Sequence, residues 1–248
     1  MGRCEMNRED LQKLNEYISE GNVVFFGGAG TSTESGIPDF RSQDGLYHLE
    51  YDLPPEQIIS HSYYKANPAE FYRFYKAKML YPSAEPNACH KALALLEAQG
   101  LLSAVVTQNI DGLHQKAGSK NVYELHGSVW RNYCERCGKF YGLDEVLRQN
   151  GIPRCACKGT IKPDVVLYEE GLDDRTVIGA VNEIAKANTL IVGGTSLVVY
   201  PAAGLLRYFT GRNLVVINKS PTYADRRASL VIAEPIGEVF DKWMRLRK

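Results

Sequence analysis

The residues most able to do chemistry lie in a few short runs far apart along the chain. The first is Gly27-Gly28-Ala29-Gly30-Thr31-Ser32-Thr33, which follows the apolar stretch Val23-Val24-Phe25-Phe26 and leads to Pro38-Asp39-Phe40-Arg41. A buried strand ending in glycines and small hydroxyl residues lets backbone N–H groups approach a phosphate. The Phe-Arg pair stands where the next part of such a ligand would lie. Gln108-Asn109-Ile110-Asp111 closes a second short apolar run, Ser103 to Thr107. Gly194-Thr195-Ser196 closes a third, Thr189 to Gly193, and Asn218 a fourth, Leu214 to Ile217. Four of the six cysteines form two pairs, Cys134/Cys137 and Cys155/Cys157. Four thiolates in paired spacing suit a closed tetrahedral Zn²⁺ site, structural because no position is left for water.

The elements that must position these runs are legible from periodicity. Leu11, Leu14, Tyr17 and Ile18 share a helical face, and His90 to Gln99 reads as a helix ended by Gly100. Helices are expected over about 69–80, 174–188 and 201–210. Short apolar strands alternating with helices predict an α/β fold with a parallel, doubly wound sheet. In such sheets ligands bind beyond the carboxyl ends of the strands, where the polar runs collect. Residues 37–88 lack a strand pattern and read as a helical module. Residues 128–162 are rich in cysteine, glycine and charge and read as an inserted zinc ribbon. The expected division is therefore a Rossmann-like domain of 1–36, 89–127 and 163–248, with 37–88 and 128–162 forming a small domain.

Bulk properties narrow the function. Lys+Arg and Asp+Glu each number 29, giving zero formal charge, which argues against a general nucleic-acid-binding surface. No apolar run approaches the roughly 20 residues of a membrane span. The polar start, Met1 to Asp10, has no apolar secretory core, so the expected address is cytoplasmic. A dehydrogenase would place an acidic residue at the end of a second strand, about 20 positions past the glycines. Glu50 and Asp52 are near that distance, but the following Leu53-Pro54-Pro55 is no strand end. Asn218 is the better candidate for an adenosine ribose contact, which favours chemistry on a dinucleotide over hydride transfer.

Taken in order, these motifs resemble the sirtuins, NAD-dependent protein lysine deacylases, from about Val23 to Ile236. The resemblance rests on Gly28-Ala29-Gly30 through Arg41, Gln108 to Asp111, His126-Gly127, the cysteine pairs, Gly194 to Ser196 and Ile217-Asn218. It implies a Rossmann-like domain and a small zinc-ribbon and helical domain, with NAD and an acyl-lysine peptide meeting between them. Ala29, Thr33 and Arg41 would line the pyrophosphate and nicotinamide ribose, and Phe40 would shield the reacting sugar from water. Asn109, grouped with His126 as catalytic, would form the nicotinamide pocket with Ile110 and Asp111. Gln108 would hold ribose hydroxyls. Thr195, Ser196 and Asn218 would take the adenosine side, and Ile236 would abut the adenine.

The implied reaction begins with attack of the acyl oxygen on C1′ of the nicotinamide ribose. His126 would be the general base on the ribose hydroxyls, a task suited to imidazole near neutral pH. Products would be nicotinamide, deacetylated lysine and O-acetyl-ADP-ribose. The alternative use of that sugar electrophile, transfer of ADP-ribose to a protein side chain, fits His126 and the apparent peptide strand less well. Val165, Val166 and Tyr168 would line the peptide groove, with the two valines pairing by strand addition. Where this family usually has Gly after the aromatic residue, the chain has Glu169, which puts the local turn in question. Members that prefer acidic acyl groups carry Tyr-x-x-Arg; this chain offers Tyr72-x-x-Tyr75 and Tyr75-x-x-Lys78. Acetyl-lysine proteins or peptides are therefore the expected partners, with no nucleic acid and no membrane.

Overall fold

The computed structural model describes residues 8–39 and 53–247. Helix Arg8–Ser19 leads into β1 (Val23–Gly27), and helix Ala88–Ala98 leads into β2 (Leu102–Thr107) and then β3 (Val122–Glu124). The chain next forms β4 (Gly127–Cys134), β5 (Phe140–Gly142) and β6 (Ile161–Val165), which make a separate three-stranded antiparallel sheet in the order β5-β4-β6. It returns through helix Asp174–Lys186 to β7 (Thr189–Gly193), β8 (Asn213–Ile217) and β9 (Leu230–Ile232), and ends in helix Ile236–Leu246. The large sheet runs β3-β2-β1-β7-β8-β9, and every pairing in it is parallel. From β1 the chain builds outward to one side, then returns and builds to the other. The order therefore reverses between β1 and β7, and a crevice opens there beyond the carboxyl ends.

Strand alternation explains why this sheet is buried on both faces. Val23 and Phe25 of β1 face one core with Leu14, Ile18, Leu93, Leu96, Phe240 and Trp243 from the first, second and last of these helices. Val24 and Phe26 face the other core with Ile184, Leu205 and Leu206. Helix starts are set locally. Asn87 Oδ1 accepts from Cys89 N at 2.9 Å, and Asp173 Oδ2 accepts from Thr176 N at 2.8 Å. The segment expected to be helical over 201–210 forms a 3₁₀ turn, Ala202–Tyr208.

The helices Pro55–Ile58, His61–Ala66 and Pro68–Lys78 pack on the small sheet. Phe71, Tyr72, Phe74 and Tyr75 form a core there with Val129, Leu143, Val165 and Leu167. These four aromatic side chains of one helix are thus core packing. Tyr72 donates to Ile161 O at 2.6 Å, and Tyr64 and Lys65 both reach Glu135 inside the first cysteine pair, at 2.9 and 2.6 Å. The ribbon's own core is only Cys134, Tyr141, Val146, Cys155 and Ile161. The boundary expected between 162 and 163 falls inside β6, so Pro163 to Val165 belong to the small sheet. No helix among the described residues is long and apolar enough to cross a membrane.

Candidate active site

A cleft of about 810 Å³ opens beyond β1, β2, β7 and β8 and is walled on its far side by the small sheet and the helical module. Ala29, Thr33, Gln108, Asn109, Ile110, Asp111, His126, Val165, Val166, Tyr168, Thr195, Ser196, Asn218 and Ile236 all line it. Phe40 and Arg41 lie outside the described residues. The four polar runs that the sequence separates by tens of residues thus converge on one space.

The glycines do a different job from the one their spacing suggests. A Cβ on Gly28 would stand 2.8 Å from Thr195 Cβ, and one on Gly30 2.8 Å from Gly194 Cα. The loop after β1 is pressed flush against the turn after β7, with Gly30 N donating to Gly194 O at 2.8 Å. Gly28, Thr31 and Ser32 also spend their amides on backbone carbonyls. The backbone N–H groups of Ala29 and Thr33 have no acceptor among the described residues, so these two can meet an anion. The Glu34 carboxylate accepts from Gly237 N at 2.6 Å, at the start of the last helix. This tie spans the chain and has no local signal in the sequence.

Ser32 is the link that sequence reasoning missed. Its hydroxyl donates to Asp111 Oδ2 at 2.6 Å and accepts from Asn109 Nδ2 at 3.0 Å. Asn109 Nδ2 also reaches Thr31 Oγ1 at 3.0 Å, which leaves its carbonyl oxygen for a ligand. Burial raises the Asp111 pKa, opposed by the Ser32 and Leu113 hydrogen bonds. Trp130 pins the loop from outside, donating to Asp111 O at 2.7 Å. Gln108 Nε2 donates to Thr195 Oγ1 at 3.1 Å, joining the second run to the third.

His126 stands at the junction of the two sheets. Its Nδ1 lies 2.9 Å from Gln108 O. A carbonyl can only accept, so Nδ1 carries the proton and Nε2 keeps its lone pair. Burial lowers the His126 pKa, opposed by that same hydrogen bond. The ring is therefore neutral at neutral pH and able to take a proton. Its backbone carbonyl accepts from Val166 N at 3.0 Å. The following Gly127 has φ +75°, and a Cβ there would meet Asp164 O at 1.9 Å. Only glycine fits.

The peptide-groove residues are differently committed from a free strand. Val166 N bonds His126 O, Leu167 N bonds Glu170 Oε2 at 2.9 Å, and Tyr168 N bonds Ile59 O at 3.1 Å. Their donors are used. The Val166 carbonyl has no partner among the described residues, so it is the group that can accept from a ligand. Glu169 does adopt the left-handed conformation of the glycine it replaces, φ +75°. Its carboxylate accepts from Ser62 N and Ser62 Oγ, both at 2.9 Å. Glu170 next to it takes His61 Nδ1 at 2.9 Å and Lys162 Nζ at 3.1 Å. These partners hold its pKa low against the effect of burial. The pair forms a clasp between β6 and the helical module.

The sulfur atoms of Cys134, Cys137, Cys155 and Cys157 lie within 4.8 Å of one another, with close pairs at 3.4 to 3.6 Å. Tetrahedral Zn–S bonds of about 2.3 Å place sulfurs about 3.8 Å apart, so the set fits one Zn²⁺. Tyr141 donates to Cys155 Sγ at 3.0 Å, and Arg136 N to Cys134 Sγ at 3.4 Å, as outer partners of thiolates do.

A doubly wound sheet with a ligand cleft at its switch point and a tetrathiolate knot define an α/β nucleotide-cleft protein with a metal-stapled second lobe. The Sir2 family model matches residues 28–201. The NAD-dependent protein deacetylase of Clostridium perfringens is 59% identical over 239 residues, covering 94% of this chain and 98% of that protein. The deacetylase of Clostridium acetobutylicum is 56% identical, covering 94% and 97%. A solved Sir2 complex with a deacetylated p53 peptide and 3′-O-acetyl ADP-ribose superposes with TM-score 0.87 at 38% identity, covering 95% and 98%. The chain belongs to the Sir2 family.

Proposed function

We propose that this chain is an NAD-dependent protein lysine deacetylase releasing nicotinamide, deacetylated lysine and O-acetyl-ADP-ribose. The observation that carries the reading is His126, held by Gln108 O with its Nε2 lone pair in the cleft that all four polar runs line. NAD supplies a ribose carbon with nicotinamide as its leaving group. The amides of Ala29 and Thr33 take the pyrophosphate, and Thr195, Ser196, Asn218 and Ile236 take the adenosine side. Asp111 and the Asn109 carbonyl hold the nicotinamide carboxamide, with Ile110 against its ring. Gln108 orients the ribose hydroxyls, and His126 Nε2 removes a proton from one of them. The Val166 carbonyl accepts the N–H of the acyl-lysine, between Val165 and Tyr168. Phe40 and Arg41 are assigned their roles by family pattern alone.

Acetyl and other neutral acyl groups suit this groove better than acidic ones. Ile59, Met79, Val129, Leu143 and Leu167 line the same cleft. Tyr72 and Tyr75 are fully buried, so neither can meet an acyl carboxylate. Lys78 lines the cleft too, but an ammonium is a poorer carboxylate receptor than an arginine fork. Incubation with NAD and an acetyl-lysine peptide, with products weighed by mass spectrometry, tests the proposal. Equal molar nicotinamide, free lysine and O-acetyl-ADP-ribose are expected. ADP-ribosylated protein in place of O-acetyl-ADP-ribose would overturn it.

A further inference from the structure

At one lip of the cleft, beyond β7 and β8, three large apolar side chains stand in solvent: Tyr200, Val198 and Tyr223, exposed by 68%, 55% and 52%. Tyr200 and Tyr223 are held together. A Cβ on Gly204 would touch the Tyr200 ring at 3.5 Å, and the Tyr223 hydroxyl donates to the neighbouring Ala203 O at 3.0 Å. Both rings are therefore seated on the same 3₁₀ turn. Val198 follows Leu197, which stands in the left-handed region at φ +56° between β7 and the 3₁₀ turn.

Cations rim this patch without acids to match. Arg226 and Arg227 sit on the turn Tyr223–Arg227, and Lys219 lies just before it; all three are exposed. None has an anionic partner among the described residues. The acid of that turn, Asp225, is spent on Thr222 N and Oγ at 3.2 and 2.6 Å. Exposed aromatics ringed by unmatched arginines are the make-up of a protein-binding surface with an acidic partner. Tyr200 and Lys219 line the cleft itself, so the surface adjoins the site.

We propose that this surface docks an acidic, apolar-studded segment of the acetylated protein, remote in sequence from the acetyl-lysine. The proposal rests on the deacetylase reading and adds a second point of attachment to it. A chain held at two points gains effective concentration at the second, so such substrates would be selected through KM.

The test compares two substrates. One is a short neutral acetyl-lysine peptide; the other is that peptide joined through a Gly/Ser linker to an arm of Glu, Asp and Leu. The enzymes are the parent and the double variant Arg226→Glu, Arg227→Glu, neither residue being in the cleft lining. The arm is expected to raise kcat/KM about tenfold in the parent, through KM, and the gain should vanish in high salt. The double variant should lose that gain and turn over the short peptide as before. A gain that survives charge reversal, or no gain in the parent, overturns the docking proposal while short-peptide turnover upholds the deacetylase reading. Loss of single-stranded oligonucleotide binding in the variant, with substrate kinetics unmoved, also overturns it and assigns the patch to nucleic acid. A melting temperature equal to the parent's shows that the variant is folded.

Discussion

At the scale of single residues, two positions carry arguments that geometry makes quantitative. The Gln108 carbonyl fixes the His126 tautomer, and burial lowers the ring's pKa from 6.5. The base form therefore persists as pH falls below 6.5, and kcat/KM should hold to that point before declining through a pKa on the acid side of it. His126→Ala should remove that limb and lower kcat by about 10²- to 10⁴-fold, measured by nicotinamide release. Glu169 is the second. Its left-handed backbone costs about 1 kcal/mol, while its carboxylate satisfies Ser62 N and Oγ. Glu169→Ala keeps the strain and loses both bonds, so it should destabilise by about 1–2 kcal/mol in urea unfolding. Glu169→Gly relieves the strain as it loses the bonds, and should fall within about 1 kcal/mol of the parent. The sequence flagged this position as an anomaly, but Ser62 as its partner was invisible because nothing local joins the two.

At the scale of elements, the strands and the helices around the large sheet were readable because their apolar periodicity is a local property. Val23 to Phe26 read as a buried strand, and the paired spacing of the cysteines read as a small metal knot. What was not readable is how pieces distant in sequence pair. Val165 and Val166 looked like an open edge for a peptide, yet the amide donors of Val166, Leu167 and Tyr168 are already committed to His126, Glu170 and Ile59. The glycines after β1 looked like a phosphate cradle, yet their first duty is to let two backbones touch at Gly194. Gly127 is the hinge of this scale, since β4 and β6 close around it and bring Val166 N to His126 O. Gly127→Ala drives a methyl into Asp164 O and forces a left-handed alanine. It should cost about 2–4 kcal/mol and a large part of kcat, seen together as a lower melting temperature and slower turnover. A variant that melts like the parent would mean that the two sheets are not coupled through this residue.

At the scale of the whole molecule, a pair of histidines ties the cleft to the core without lining it. His90 and His114 are buried with ring centroids 4.7 Å apart, and His114 also lies against Phe25 of β1 at 6.0 Å. His90 Nδ1 is 3.1 Å from Asn87 Oδ1, and Asn87 Nδ2 reaches Thr31 O at 2.7 Å. His114 follows Asp111 by three residues, in the helix Leu113–Ala117. The pair thus braces the loop after β1 and the loop after β2 from behind. Burial lowers the His90 pKa to about 4, and burial with the neighbouring His90 lowers that of His114 well below 6.5. In the unfolded chain both protonate near 6.5; in the folded one they do not. The unfolded state therefore binds more protons below that pH, so stability present above pH 6.5 is lost as pH falls from 6.5 toward about 4. Unfolding free energy measured by urea at pH 7.0 and at steps down to pH 4.5 should decline along this path. In His90→Gln the decline should be shallower, even where the variant is weaker at pH 7. An identical slope in parent and variant would place the acid sensitivity elsewhere, in the carboxylates of Glu170 and Glu135 whose partners hold their pKa values down. With His126 as the proposed base and this pair as the proposed source of acid unfolding, the two acid limbs should separate. Activity measured in short assays reports the first, and loss of the folded fraction on longer incubation reports the second.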